Sequence, residues 1–223
     1  QVGAAAFAAG NRVMVKMSEV TSRTADLMAA LAPRYFDQTE LAVVVGGPDV
    51  AAEFAALPFD HLFFTGSTAV GTRVMAGAAA HVKRVTLELG GKSANIIFDD
   101  CDLERAAATA PYGVFDNAGQ DCCARSRILV QRTVYERFME LLEPAVAGVK
   151  VGDPTASDTE MGPLVSRTHW ESVRGYVPDD APIAFRGTAP QGPGFWFPPT
   201  VLTPQRTDRT VTEEIFGPVV TVL

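Results

Sequence analysis

The sequence predicts an α/β fold in two parts, a doubly wound parallel-sheet domain over residues 1–89 and a second α/β domain over residues 90–223. Strand and helix patterns alternate steadily up to about Leu87, the rhythm of a parallel sheet with helices on its faces. The texture changes after Gly90-Gly91, where the boundary is placed. At 223 residues, 47% hydrophobic and 20% charged, the chain has the size and composition of a globular protein with a sizeable core.

Asn11 to Lys16 alternates in part and predicts a strand. Ser18, Glu19 and Thr21 supply start signals for a helix through Leu27 and Leu31, which Pro33 ends. Leu41-Ala-Val-Val-Val45 is a short buried strand stopped by Gly46-Gly47, and Pro48 sits early in a helix reaching Leu57. His61 to Thr65 is the next strand, Gly66 to Gly71 turns into a helix through about Ala80, and Val82 to Leu89 is a strand again. In the second domain, Ser93 to Phe98 and Arg127 to Gln131 read as strands. Asp102 opens an Ala-rich helix that Pro111 is expected to kink or interrupt. Thr133-Val-Tyr-Glu136 has a capping-box pattern, opening a helix with Val134, Phe138, Leu141 and Leu142 on one face. A polar loop over 151–163, a helix around 168–176, irregular Gly/Pro-rich chain over 188–199 and the strand-like Pro218 to Leu223 complete the chain.

A formal net charge of −7 argues against a nucleic-acid surface. No apolar run approaches the roughly 18 residues that span a bilayer. The apolar opening Gln1 to Gly10 has no basic start or cleavage pattern and is not read as a signal peptide. Three cysteines, Cys101, Cys122 and Cys123, make a poor disulfide framework and fit a reducing cytosol. The adjacent pair lacks metal-ligand spacing, and His61, His81 and His169 form no cluster with it, so no metal site is expected. The chain begins without Met and stops inside a strand-like run, and is read as a central piece of something longer.

Two stretches carry chemistry. Phe115-Asp-Asn-Ala-Gly-Gln-Asp-Cys122-Cys-Ala-Arg125 places a thiol after glycine, and Val85-Thr-Leu-Glu88-Leu-Gly-Gly-Lys92 places a carboxylate before two more glycines. An activated thiol needs a polarising environment, and a thioester needs a positioned water to release it. Alone, the cysteine reads as a small buried hydrophobe and the glutamate as solvated surface. Together they resemble the aldehyde dehydrogenase superfamily, whose members carry a Glu-Leu-Gly-Gly box followed by Gly-Gln-x-Cys. The resemblance covers essentially the whole chain and the middle of the family's length. It implies a Rossmann-like cofactor domain over 1–89 and a catalytic domain over 90–223, with Cys122 as nucleophile and Glu88 as general base. The implied reaction oxidises an aldehyde to a carboxylic acid through a thioester on Cys122.

Phe64-Thr65-Gly66-Ser67-Thr-Ala-Val-Gly71 follows a strand and opens a helix, a place where phosphate can sit, although the spacing is neither a dinucleotide fingerprint nor a P-loop. It is similar to the family's Phe-Thr-Gly-Ser-x-x-x-Gly phrase, which implies that Ser67, with Thr65, Gly66, Gly71 and Leu89 about it, meets the dinucleotide. Val15-Lys16-Met17-Ser18-Glu19 is similar to the family's strand-end phrase, with Met17 where the family usually has Pro, and implies that Lys16 and Glu19 bind the adenosine ribose. A carboxylate at that ribose repels a 2′-phosphate and favours NAD, with NADP still admitted. Glu213-Glu214-Ile-Phe216-Gly-Pro218 resembles the family's Glu-x-Phe-Gly-Pro segment, implying Glu214 at the nicotinamide ribose and Phe216 beside its ring.

The family's oxyanion donors are the backbone N–H at the nucleophile and an Asn that lies upstream of this region; Asn117 is assigned a structural role in the Cys loop. Asp121 would raise the thiol pKa if it faced the sulfur, and is expected to point away. Cys123 is expected to pack. The resemblance also implies an aldehyde substrate and a homo-oligomer, a dimer or tetramer. Alternatives are a truncated, inactive nucleotide-binding or scaffold member, a CoA-acylating relative, which Glu88 disfavours, and a cysteine hydrolase using His169.

Overall fold

The computed structural model describes residues 2–223, which divide into two compact units, one ending at Leu89 and the other running from Gly90 to Leu223. The first unit opens with helix α1 (Val2–Ala8), built from small residues that the sequence reading left unassigned. Strand β1 (Val13–Lys16) pairs in parallel with β2 (Leu41–Val44) across helix α2 (Ser22–Leu31). The α-helix ends at Leu31, as expected, and Pro33 lies in the 3-10 turn that follows it, Ala32–Arg34. Helix α3 (Pro48–Ala56) carries its proline in the first turn, where a missing N–H costs nothing. Strand β3 (His61–Gly66) feeds α4 (Thr68–Ala79), which returns the chain to β4 (Arg84–Leu89) parallel to β3. The parallel pairing is as expected, but the strands stand as two two-stranded ladders, β1–β2 and β3–β4.

The second unit is a five-stranded sheet in the order β5-β6-β9-β8-β7. Its strands are β5 (Ala94–Ile97), β6 (Arg127–Val130), β7 (Ile183–Arg186), β8 (Thr200–Leu202) and β9 (Val219–Val222), all parallel to their neighbours except β7, which is antiparallel to β8. Every residue of β8 and β9 is buried, as a central strand covered on both faces requires. Helices α5 (Leu103–Phe115) and α6 (Tyr135–Ala147) pack on each other and supply Ala107, Val114, Phe138, Leu142 and Val146 to the core. Two shorter helices follow, α7 (Arg167–Gly175) and α8 (Arg209–Thr212).

Two expectations are corrected. Helix α5 runs unbroken through Pro111, whose ring is buried; the proline removes one N–H, and burial of the helix face outweighs that loss. Pro144 likewise lies inside α6. The capping box does not form: α6 starts at Tyr135 after a 3-10 turn, and the Thr133 hydroxyl donates 3.3 Å to Asp99 Oδ2 instead of capping. Strands β7 and β8 were not legible.

Candidate active site

In the first unit, parallel pairing sets Thr65 beside Glu88 and Gly66 beside Leu89, so the two motifs end on neighbouring strands. Ligands of open α/β sheets bind at the carboxyl ends of the strands, and both motifs lie there. Glu88 is exposed. Ser67 is the N-cap of α4, its hydroxyl accepting the Val70 N–H at 3.4 Å, which leaves other first-turn N–H groups open to an anion. A Cβ on Gly71 would stand 2.7 Å from Leu89 Cδ2, so the absence of a side chain there lets α4 approach the end of β4. Lys16 ends β1 and its ammonium lies 3.2 Å from Glu19 Oε2. The Glu19 backbone N–H and the Lys16 side chain hold the Glu19 carboxyl below its ordinary range, so it stays anionic.

In the second unit the cysteine loop leaves α5 through three successive left-handed residues, Asn117 (φ 50°), Ala118 (φ 56°) and Gly119 (φ 69°). Such a run is costly for residues with a side chain, and the surroundings hold it in place. Asn117 Nδ2 donates to the Gln120 carbonyl at 3.0 Å while Gln120 Nε2 donates to the Asn117 carbonyl at 3.0 Å, a reciprocal clasp. Gln120 Oε1 also accepts the Val165 N–H at 2.9 Å, tying the loop to the chain before α7. A Cβ on Gly119 would collide with the Gly217 carbonyl, so here the loop lies directly on the Glu214–Pro218 segment. The sequence role given to Asn117 thus has a physical form.

Cys122 and Cys123 are both exposed, with their sulfurs 3.8 Å apart. Cys123 does not pack, contrary to expectation, because an Asx turn in which its N–H donates 2.9 Å to Asp121 Oδ1 presents both side chains on the loop surface. Asp121 does not point away either: its carboxylate and the two sulfurs lie within 4.8 Å of one another. The hydrogen bond with Cys123, the charge of Cys123 and, after these and desolvation, Asp121 raise the Cys122 thiol pKa above its ordinary value.

The carboxylate of Glu214 occupies the space a side chain on Gly90 would fill, and Glu214 Oε1 accepts the Gly91 N–H at 3.0 Å. The glycines of the Glu-Leu-Gly-Gly box thus position the acid of the Glu-x-Phe-Gly-Pro segment. Lys92 lies beside them, largely buried and with no hydrogen-bond partner for its amine among the described residues. Burial and the Arg127 charge pull its ammonium down to about 8 against the opposing pull of Glu214. Phe216 has φ 56° and is 38% exposed; its carbonyl lies 2.6 Å from His169 Nε2, and the His169 ring meets its ring edge-on. That bond engages one of the two imidazole nitrogens. Sequence reasoning missed Lys92, Val165 and His169 as structural partners, because their contacts join segments far apart in the chain; only the paired glycines after Glu88 signalled a close approach.

The Aldehyde dehydrogenase family model matches residues 2–223. The chain is 38% identical over 218 residues to the rat dimeric NADP-preferring aldehyde dehydrogenase, covering 98% of this chain and 48% of that protein. It is 40% identical over 226 residues to an aldehyde dehydrogenase of Emericella nidulans, covering 97% and 46%. Among solved structures, betaine aldehyde dehydrogenase of Staphylococcus aureus in complex with NAD+ superposes with a TM-score of 0.85 at 37% identity, covering 96% of this chain and 45% of that one. An NAD-dependent aldehyde dehydrogenase of Sinorhizobium meliloti gives 0.86 at 38%, covering 96% and 44%. The chain spans about half the length of these relatives. It belongs to the aldehyde dehydrogenase family.

Proposed function

We propose that this chain carries the reacting centre of an NAD(P)-dependent aldehyde dehydrogenase that converts an aldehyde to its carboxylic acid, with residues 1–89 holding dinucleotide and 90–223 the nucleophile. The observation that carries this reading is the close approach of Gly119 to the Gly217 carbonyl, which seats the Cys122 loop on the segment bearing Glu214 and Phe216.

The residues suit a dinucleotide. Thr65, Gly66 and Ser67 lie where β3 gives way to α4, Gly71 packs on Leu89, and first-turn N–H groups are open to a pyrophosphate. Lys16 and Glu19 would take one ribose and the anchored Glu214 the other, with Phe216 at the nicotinamide ring. A bound dinucleotide would supply the hydride acceptor for the carbon held on Cys122. The Cys122 sulfur, as thiolate, adds to the aldehyde carbonyl, and the resulting oxyanion is met by the Cys122 backbone N–H. Loss of hydride leaves a thioester on Cys122. Glu88 takes a proton from water, which attacks the thioester carbonyl and releases the acid and the thiolate.

Glu88 supports hydrolysis over transfer to CoA. Assembly as a homo-oligomer belongs to the same reading, the rat relative being named dimeric. The test is NADH appearance over a panel of aliphatic and aromatic aldehydes. Formation that vanishes in Cys122→Ala supports the proposal; no NADH from a folded gene product would overturn it in favour of a nucleotide-binding scaffold.

A further inference from the structure

We propose that Cys122 and Cys123, with the Asp121 carboxylate, form a chelating site for a thiophilic divalent cation of the Zn2+ type, whose binding sequesters the nucleophile. Among the described residues this is the one group of His, Cys, Asp or Glu whose ligand atoms converge, all three lying within 4.8 Å of one another. Adjacent cysteines do not have the spacing of structural zinc motifs, and the expectation of no metal site followed from that. The Asx turn changes the outcome by bringing both sulfurs to one side of the loop.

The sulfur separation fits such an occupant. Two thiolates about 2.3 Å from a tetrahedral Zn2+ stand about 3.8 Å apart. The sulfurs here are 3.8 Å apart, so the pair already stands at that bite, and the Asp121 oxygen has to close on the ion from within 4.8 Å. A disulfide requires about 2.05 Å, and the same pair would have to close by nearly half that gap to form one. Asp121 gives one oxygen to the Cys123 N–H, and its carboxylate has another to offer as a third, hard ligand. All three residues are exposed, so the fourth position is open to water, which suits reversible capture rather than a structural site.

Binding breaks two S–H bonds and forms two metal–sulfur bonds. Two protons leave to solvent for each cation bound, and neither metal nor sulfur changes oxidation state. While the cation is held, the lone pair with which Cys122 would attack a carbonyl is engaged.

The binding part of this inference stands without the proposed activity; only its inhibitory consequence rests on it. Titration with Co2+ reads binding directly, through the near-ultraviolet thiolate-to-cobalt charge-transfer band, and proton release is followed in weak buffer with Zn2+. The expected result is one cation and two protons per chain. In Cys123→Ser the charge-transfer band should fall and affinity drop by about 100-fold or more, the loss of a chelating second ligand. Asp121→Asn should weaken binding less, and Cys101→Ser should leave it unchanged. Zn2+ should then suppress NADH formation reversibly, with a chelator restoring it. Binding that survives Cys123→Ser, or a chain with no thiolate–cobalt band, overturns the inference whether or not the chain oxidises aldehydes.

Discussion

The two units are built to different standards of burial. The second has a continuous core running from Ile97 to Val222, with Ile128, Phe138, Val201 and Val219 wholly enclosed. Among the apolar residues of the first, Ala25, Ala32, Leu62 and Ala78 are buried, while Leu27, Met28, Phe63 and Met75 are exposed. The motif residues follow the same division. The cysteine loop and Glu214 are held by close backbone approach and by hydrogen bonds to segments distant in sequence. Lys16, Glu19 and Ser67 are held by partners within a few residues of themselves.

The largest effect should come from the core. Phe138→Ala should destabilise the second unit by about 3–5 kcal/mol in urea unfolding. Leu62→Ala, in the less enclosed unit, should fall at the low end of about 2–5 kcal/mol or below it. Equal losses would break the contrast.

Glycines sharpen it. Gly119→Ala forces a side chain into a left-handed residue, about 1–2 kcal/mol by itself, and into the Gly217 carbonyl. NADH formation should fall with stability. Gly77→Ala, in α4 with open space around it, should be neutral or gain up to about 1 kcal/mol.

Lys92 adds a pH signature to the buried half. Its ammonium is pulled down to about 8 in the folded chain against an ordinary 10.5, so between these values the unfolded chain holds the proton that the folded chain has lost. Stability should accordingly rise with pH across that window, by up to about 3 kcal/mol. The slope should flatten in Lys92→Met.

The exposed pair carries a selectivity signature instead of a stability one. With Glu19 at the adenosine ribose, as proposed, Glu19→Gln should shift the NADP-to-NAD ratio of kcat/KM about tenfold toward NADP. An unchanged ratio would remove Glu19 from the ribose.

Most of the α/β architecture was legible because its strands are short apolar runs bounded by turn residues and its helices keep a clean apolar face, as Phe138 and Leu142 do in α6. Strands β7 and β8 were not, being three or four residues long amid Gly and Pro, where periodicity has nothing to repeat. Pro111 misled because the cost of a lost N–H is visible locally, whereas the compensating burial is not. At the site, motif residues could be named from their neighbours in sequence. The orientation of Asp121 could not, since one Asx bond to Cys123 decides it. Nor could the bond between His169 and Phe216, which depends on tertiary packing.

The most direct test of Cys122 as nucleophile and Glu88 as base is intact-mass trapping. Glu88→Gln protein, incubated with an aldehyde and NAD+, should accumulate the acyl mass on the peptide containing Cys122, and the adduct should disappear when Cys122→Ala is added. An adduct mapped to Cys123, or turnover in Glu88→Gln equal to that of the parent, would contradict the account.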